Sequence, residues 1–179
     1  MKTQNISYHT FETCIGTMIL GYTESSITHL TLARRPDGNA KNQILSPAVC
    51  SSPGIQLTDQ TTKCCLPLVT RAISQITEYL EGKRQEFTLP LAPQGTPFQQ
   101  AVWRALRTIP YGETRCYSEI AQMVGNPKAC RAVGMANNRN PIIILIPCHR
   151  VVGKNGSLVG YAGGLDIKEK LLELEGARI

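Results

Sequence analysis

The chain has 179 residues, 42% of them hydrophobic and 18% charged, with seven cysteines and a formal net charge of +6. That composition describes a soluble globular protein of one domain or two small ones; no apolar run nears the ~18 residues a bilayer span requires, and Met1-Lys2-Thr3-Gln4-Asn5 lacks a secretory signal's apolar segment. An odd cysteine count, the adjacent pair Cys64-Cys65 and the lack of any C-x-x-C speak against a disulfide framework or a structural zinc site, so a reducing cytoplasmic setting is expected.

Three segments at the start read as strands: Ile6 to Thr13, Thr17 to Thr23 and Ile27 to Ala33. They are rich in Ile, Thr, Leu and Tyr, with Gly16 and Glu24-Ser25-Ser26 at the turns. Residues 34–58, with Arg35-Pro36-Asp37-Gly38 and Ser52-Pro53-Gly54, read as a loop-rich excursion. Leu68, Ala72, Ile76, Tyr79 and Leu80 then recur at helical spacing, and Gly82 ends that helix. Leu89 to Gly95 reads as a connector, which places the domain boundary at 92/93.

In the second half, Thr96-Pro97-Phe98-Gln99 has a hydroxyl at N-cap, proline at N1 and glutamine at N3, the pattern of a capping box. Phe98, Ala101, Val102, Ala105, Leu106 and Ile109 mark one face of the helix it opens. A short helix is expected from Tyr117 to Val124. Gly125-Asn126-Pro127 is read as a turn that caps a second helix running to about Asn137. Two short helices joined this way have the dimensions of a helix-turn-helix. The run Ile142 to Ile146 reads as a buried strand leading to Pro147-Cys148-His149-Arg150. Asp166 and Glu169 open a last helix with Ile167, Leu171 and Leu174 inward and Gly176 as its stop.

Charge and chemistry meet in the second half. Residues 1–92 carry eight Lys/Arg against seven Asp/Glu, whereas residues 93–179 carry eleven against six. The basic excess lies with Cys148, and Lys128 and Arg131 share a face of the second helix, which makes nucleic acid a candidate partner. A thiol is a nucleophile only as thiolate, and His149 and Arg150 are neighbours able to promote that form. From this tetrapeptide alone, Cys148 is either a nucleophile or the buried end of a core strand.

Ile144 to Val152 resembles the active-site signature of the O6-alkylguanine-DNA alkyltransferases, the methylated-DNA–protein cysteine methyltransferases. The resemblance runs from Thr96 to Gly176 through Pro97-Phe98-Gln99, Ile109 to Glu113, Tyr117, Arg131 to Gly134, Asn140-Pro141, Gly160 to Leu165, Leu171-Leu172 and Glu175-Gly176. It implies an α+β fold: a strand-rich N-terminal domain of ribonuclease H-like layout (1–92, structural), then a mainly helical, winged-helix-like domain (93–179, DNA-binding and alkyl-accepting). It implies direct-reversal repair of DNA. Cys148 would take the alkyl group of a flipped O6-alkylguanine irreversibly, once per polypeptide, with O4-alkylthymine as a second candidate substrate. His149 would remove the thiol proton through a water, Glu175 would orient His149, and Asn140 would tie the turn before Pro141 to the active-site loop.

For DNA, the resemblance makes Arg131 the residue that enters from the minor groove and fills the space of the extruded base. Tyr117 would help rotate the nucleotide, with Lys128, Ala129 and Arg150 as further contacts. Minor-groove docking departs from the usual use of a helix-turn-helix. Tyr161, Ala162, Gly163, Val151 and Pro147 would line the pocket. Many relatives have serine where Ala162 stands, but the contact there is a backbone N–H. Asn137 and Asn138 replace small or apolar residues and are expected to tune groove contacts. Cys116 and Cys130 are expected to be buried structural residues. No cofactor is implied. Some relatives hold zinc in the first domain, but their ligand pattern is not reproduced here and no metal is assigned. The expected partner is double-stranded DNA carrying O6-alkylguanine, bound by a monomer, with cooperative binding as a further candidate. The expected location is the cytoplasm, on the nucleoid when DNA-bound, or the nucleus of a eukaryotic cell.

Three other classes compete. A non-catalytic lesion binder of this type lacks the cysteine. A regulator would need zinc-binding cysteines upstream. A cysteine hydrolase seldom has Cys and His adjacent in sequence and needs an oxyanion site.

Overall fold

A computed structural model describes residues 5–34 and 62–177. They fall into two compact units that divide between Pro93 and Gln94. Among the described residues no helix is long and apolar enough to cross a membrane. The excursion read at 34–58 lies, but for Arg34, outside the described residues.

The first unit is a three-stranded antiparallel sheet and one helix. Strands β1 (Ser7–Thr13), β2 (Gly16–Tyr22) and β3 (Ile27–Arg34) follow in spatial order, with Tyr8 opposite Gly21 and Leu20 opposite Leu30. The central strand buries Met18, Ile19, Leu20 and Tyr22. Helix α1 (Thr62–Leu80) buries Val69, Ala72, Ile76 and Tyr79, an i, i+3, i+7, i+10 stripe, and packs on β1. It begins six residues earlier than the apolar spacing suggested and runs through Pro67. Gly82 ends it with φ +72°, and Lys83 N–H closes back on the Glu78 carbonyl. The connector is held to the sheet: Ile27 N–H donates to the Pro90 carbonyl and Ala92 N–H to the Ile27 carbonyl, both at 2.8 Å.

The second unit is mainly helical. Helix α2 (Pro97–Leu106) starts in the capping box: Thr96 Oγ1 accepts from Gln99 N–H, and Gln99 Oε1 accepts from Thr96 N–H at 2.8 Å. Its Trp103 is buried, and the indole N–H donates to the Ala136 carbonyl at 2.9 Å. Strand β4 (Arg115–Cys116) pairs in parallel with β5 (Val151–Val152). Helices α3 (Tyr117–Met123) and α4 (Cys130–Asn138) pack together and on α2. A 3-10 turn spans Cys148–Arg150, and α5 (Leu165–Leu174) packs against it.

Two local expectations are corrected. Asn126 does not cap α4. It forms a turn in which its carbonyl accepts from Ala129 N–H, and the helix starts at Cys130. The apolar run Ile142 to Ile146 is fully buried but is not a strand. It coils through local bonds, Leu145 N–H to the Ile143 carbonyl and Ile146 N–H to that of Ile142, and Ile144 sits at φ +71°. Strand propensity in such a run reflects burial, and here burial is met without a ladder.

Candidate active site

Asn140 builds the turn that delivers the nucleophile. Its Oδ1 accepts from Ile142 N–H at 3.0 Å, and its Nδ2 donates to the Ile146 carbonyl at 2.8 Å and to Cys148 Sγ at 3.1 Å. One buried amide thus closes the coil and reaches the sulfur. The positive φ of Ile144, uncommon for a β-branched residue, is strain held at the site by this closure.

Cys148 is 1% exposed. Burial pushes its thiol up to about 11, against the opposing pull of the Asn140 N–H, the Lys168 ammonium and the N–H groups of Cys148 and His149. The resting sulfur is therefore a thiol, and its proton must leave as it reacts. His149 is fully buried beside it, and burial holds the imidazole below its ordinary pKa while Glu175 works in the opposite direction. A neutral imidazole is a form that can take up a proton.

Glu175 organises this corner. Its Oε1 accepts from His149 Nε2 and Arg150 Nη2, each at 2.9 Å, and its Oε2 accepts from Arg150 Nε at 2.9 Å and Gly112 N–H at 3.2 Å. A buried carboxylate with four donors and a paired guanidinium is well compensated. Gly112 is required there. Its φ is +76°, and a Cβ would lie 2.9 Å from the Glu175 carbonyl oxygen. Tyr111 OH donates to the Leu174 carbonyl at 3.0 Å, so the Pro110-Tyr111-Gly112 turn clasps the end of α5.

Arg150 is not on a DNA-facing surface. Its guanidinium is buried, paired with Glu175, bonded to the Ile109 carbonyl at 2.6 Å and stacked 5.8 Å from the Tyr111 ring centroid. A fork spent on internal partners has no face left for phosphate.

The other expected contacts separate by exposure. Arg131 is exposed in the first turn of α4, whereas Lys128, also exposed, lies in the turn before Cys130 and does not share a face of that helix as expected, and Ala129 is half-buried. Tyr117 is half-buried at the start of α3, its hydroxyl donating to the Val159 carbonyl at 3.0 Å, with Gly134 of α4 near its ring. Pro147, Val151, Tyr161 and Ala162 are buried, and Gly163 is half-buried. The Tyr161 ring meets His149 edge-on at 6.5 Å, and its hydroxyl is buried with no hydrogen-bond partner. Asn138 is exposed, but Asn137 is buried behind the nucleophile instead of lying on the groove face. Cys116 and Cys130 are half-exposed, not buried.

Lys168 escaped the sequence reading. It is fully buried, and its ammonium donates to the carbonyls of Val151 at 2.5 Å and Val159 at 3.0 Å, with burial lowering it to about 8. Its position carried a signal: 168, 171 and 172 of α5 and its C-cap 175 form one inward stripe, and a lysine on such a stripe needs partners.

Comparison with known proteins places this geometry. A model of the 6-O-methylguanine DNA methyltransferase DNA-binding domain matches residues 97–177, and one of that family's ribonuclease-like domain matches residues 6–93. The constitutive methylated-DNA–protein-cysteine methyltransferase of Bacillus subtilis is 44% identical over 94% of each chain. A methylated-DNA–protein-cysteine methyltransferase of Methanosarcina acetivorans is 63% identical over 59% of this chain and 68% of that one. The crystal structure of Mycobacterium tuberculosis OGT in complex with DNA is similar at a TM-score of 0.75 and 40% identity, covering 95% of this chain and 92% of that one. The chain, with its strand-rich ribonuclease-like unit and its helical unit around Cys148, belongs to the 6-O-methylguanine DNA methyltransferase family.

Proposed function

We propose that this protein repairs DNA by direct reversal, moving the alkyl group of O6-alkylguanine onto Cys148, as a methylated-DNA–protein-cysteine methyltransferase. The observation that carries the reading is the buried sulfur held by Asn140 beside a His149–Glu175–Arg150 cluster, in the unit that exposes Arg131 on α4 and Lys128 in the turn before it. Residues 93–179 act as the DNA-binding and alkyl-accepting domain, and residues 1–92 support it.

The sulfur attacks the alkyl carbon from the side opposite O6. The S–C bond forms as the C–O6 bond breaks, and the electron pair stays with guanine, which takes up a proton from solvent. The thiol proton passes through a water to His149, whose orientation and positive charge Glu175 stabilises. Arg150 acts as a positioning residue for Glu175. The product is a thioether, which has no route back to a thiol, so each chain acts once and no cofactor enters. A base inside a duplex cannot reach a sulfur this deeply buried, so the nucleotide is flipped out. Arg131 fills the vacated space from the minor groove, while Tyr117 crowds the neighbouring phosphate. Docking is by a monomer, and O4-alkylthymine is a second candidate substrate.

With duplex O6-methylguanine in excess, methyl transfer should stop at one per protein chain. Continued turnover refutes the single-use mechanism.

A further inference from the structure

Met135 is the most exposed large apolar side chain among the described residues, at 59%, and the alkyl-transfer mechanism does not use it. One exposed methionine alone says little; its setting says more. It lies in α4 on the side away from the buried Val133, Ala136 and Asn137. Arg131, Met135 and Asn138 recur at i, i+4 and i+7 on this exposed face, with Ala132 beside them and the exposed Arg139 as C-cap. Lys128 is exposed in the turn before the helix, and α4 holds no Asp or Glu. A protein partner would need a wider apolar patch than one thioether between two guanidiniums. A polyanion whose grooves also offer stacked apolar surface fits that pattern of charge and bulk, and duplex DNA is such a partner.

Helix geometry says where the methionine would act. An α-helix rises 1.5 Å per residue, so Met135 stands about 6 Å along α4 from Arg131. Successive bases of a duplex are about 3.4 Å apart. With Arg131 in the space of the extruded base, Met135 reaches a base step within about two pairs of it. Its side chain is unbranched and adaptable, and methionine is among the apolar residues that part base steps from the minor groove. We propose that Met135 is an apolar wedge: it enters the stack beside the lesion, loosens the neighbouring step and so lowers the cost of extruding the alkylguanine. Met135 is thus a positioning residue for the transfer to Cys148. This rests on the alkylguanine reading, with Arg131 in the vacated space, and extends it.

The test compares single-turnover methyl transfer from O6-methylguanine in a duplex and in the same oligonucleotide as a single strand, which has no minor groove. Met135 is exposed and alanine favours a helix, so Met135→Ala folds. It should cut the duplex-to-single-strand rate ratio about tenfold, the factor for losing burial of most of a methionine side chain. Met135→Leu, apolar and of similar volume, should keep that ratio within about threefold of the native one. A 2-aminopurine placed one or two pairs from the lesion fluoresces more strongly when its step is parted, and the native chain should brighten it more than Met135→Ala does. An unchanged rate ratio in the alanine variant overturns the proposal, as does equal brightening by both chains. A leucine variant as impaired as the alanine one also overturns it, since apolar bulk would then not be what the position supplies. Absence of transfer from duplex and single strand alike by the native chain refutes the alkylguanine reading itself, a separate result.

Discussion

Exchanging Glu175 for glutamine keeps the side chain's shape and removes its charge, and the four bonds it makes determine the cost. The carboxylate accepts from His149 Nε2, Arg150 Nε, Arg150 Nη2 and Gly112 N–H. In glutamine one acceptor becomes an NH2. Turned one way it faces Arg150 Nε and Gly112 N–H, and turned the other way it faces His149 and Arg150 Nη2. Either orientation leaves the buried guanidinium of Arg150 without its counter-charge. Removing one partner of a buried pair costs about 3–5 kcal/mol, against the ~5–15 kcal/mol of a whole domain. Urea unfolding followed by fluorescence of Trp103, the chain's single tryptophan, measures that loss. His149 also loses the acceptor that orients it, so methyl transfer in single turnover should slow about 100-fold or more, the range of general-base catalysis. Pairing Glu175→Gln with Arg150→Met removes the stranded charge. The double variant should regain most of the stability and none of the rate. A stability loss under about 1 kcal/mol, or an unchanged rate, refutes the role assigned to this cluster.

Asn140→Ala strips three hydrogen bonds from the coil before Pro147, and about 2–4 kcal/mol of stability should go with them by urea titration, together with most methyl transfer; near-native values for both contradict its role as the tie. Burial lowers Lys168 to about 8, whereas an unfolded lysine titrates near 10.4, so between pH 8 and 9 the unfolded chain binds more protons and stability rises with pH on this residue's account. Lys168→Met should flatten that rise in unfolding free energy, and parallel curves would count against the buried ammonium. Arg131→Ala should slow repair of duplexes more than reaction with free O6-alkylguanine analogues; equal slowing of both removes Arg131 from nucleotide extrusion.

The parts of the fold legible from sequence were those in which local chemistry and tertiary packing agree. The three strands alternate between turns, and Thr96-Pro97-Phe98-Gln99 carries its own cap, so both appear within a residue or two of their expected places. Where packing overrides propensity the reading failed. Ile142 to Ile146 looks like a strand because β-branched residues suit burial, yet Asn140 provides the bonds that let the run coil. Pro67 hid the first turns of α1, since proline is tolerated near a helix start and otherwise signals a break. At the site, the motif with Cys148, His149, Asn140 and Glu175 pointed to residues that the fold does bring together. Arg150 went the other way. Its charge suggested phosphate, and only the three-dimensional arrangement reveals a carboxylate at the end of α5 closer at hand. Asn137 and Lys168 bond backbone carbonyls, which leave no motif of their own in the sequence; only the place of Lys168 on the inward stripe of the last helix hinted at partners.

The central claim is that Cys148 itself accepts the alkyl group. The protein should be reacted with duplex O6-methylguanine, cleaved with trypsin and mapped by mass spectrometry. The peptide Asn140 to Arg150 contains Cys148 as its one cysteine. It should gain the mass of one methyl, in proportion to the methylguanine lost, and Cys148→Ala should abolish both changes. Methyl found on another cysteine, or methylguanine lost with this peptide unmodified, would contradict the account.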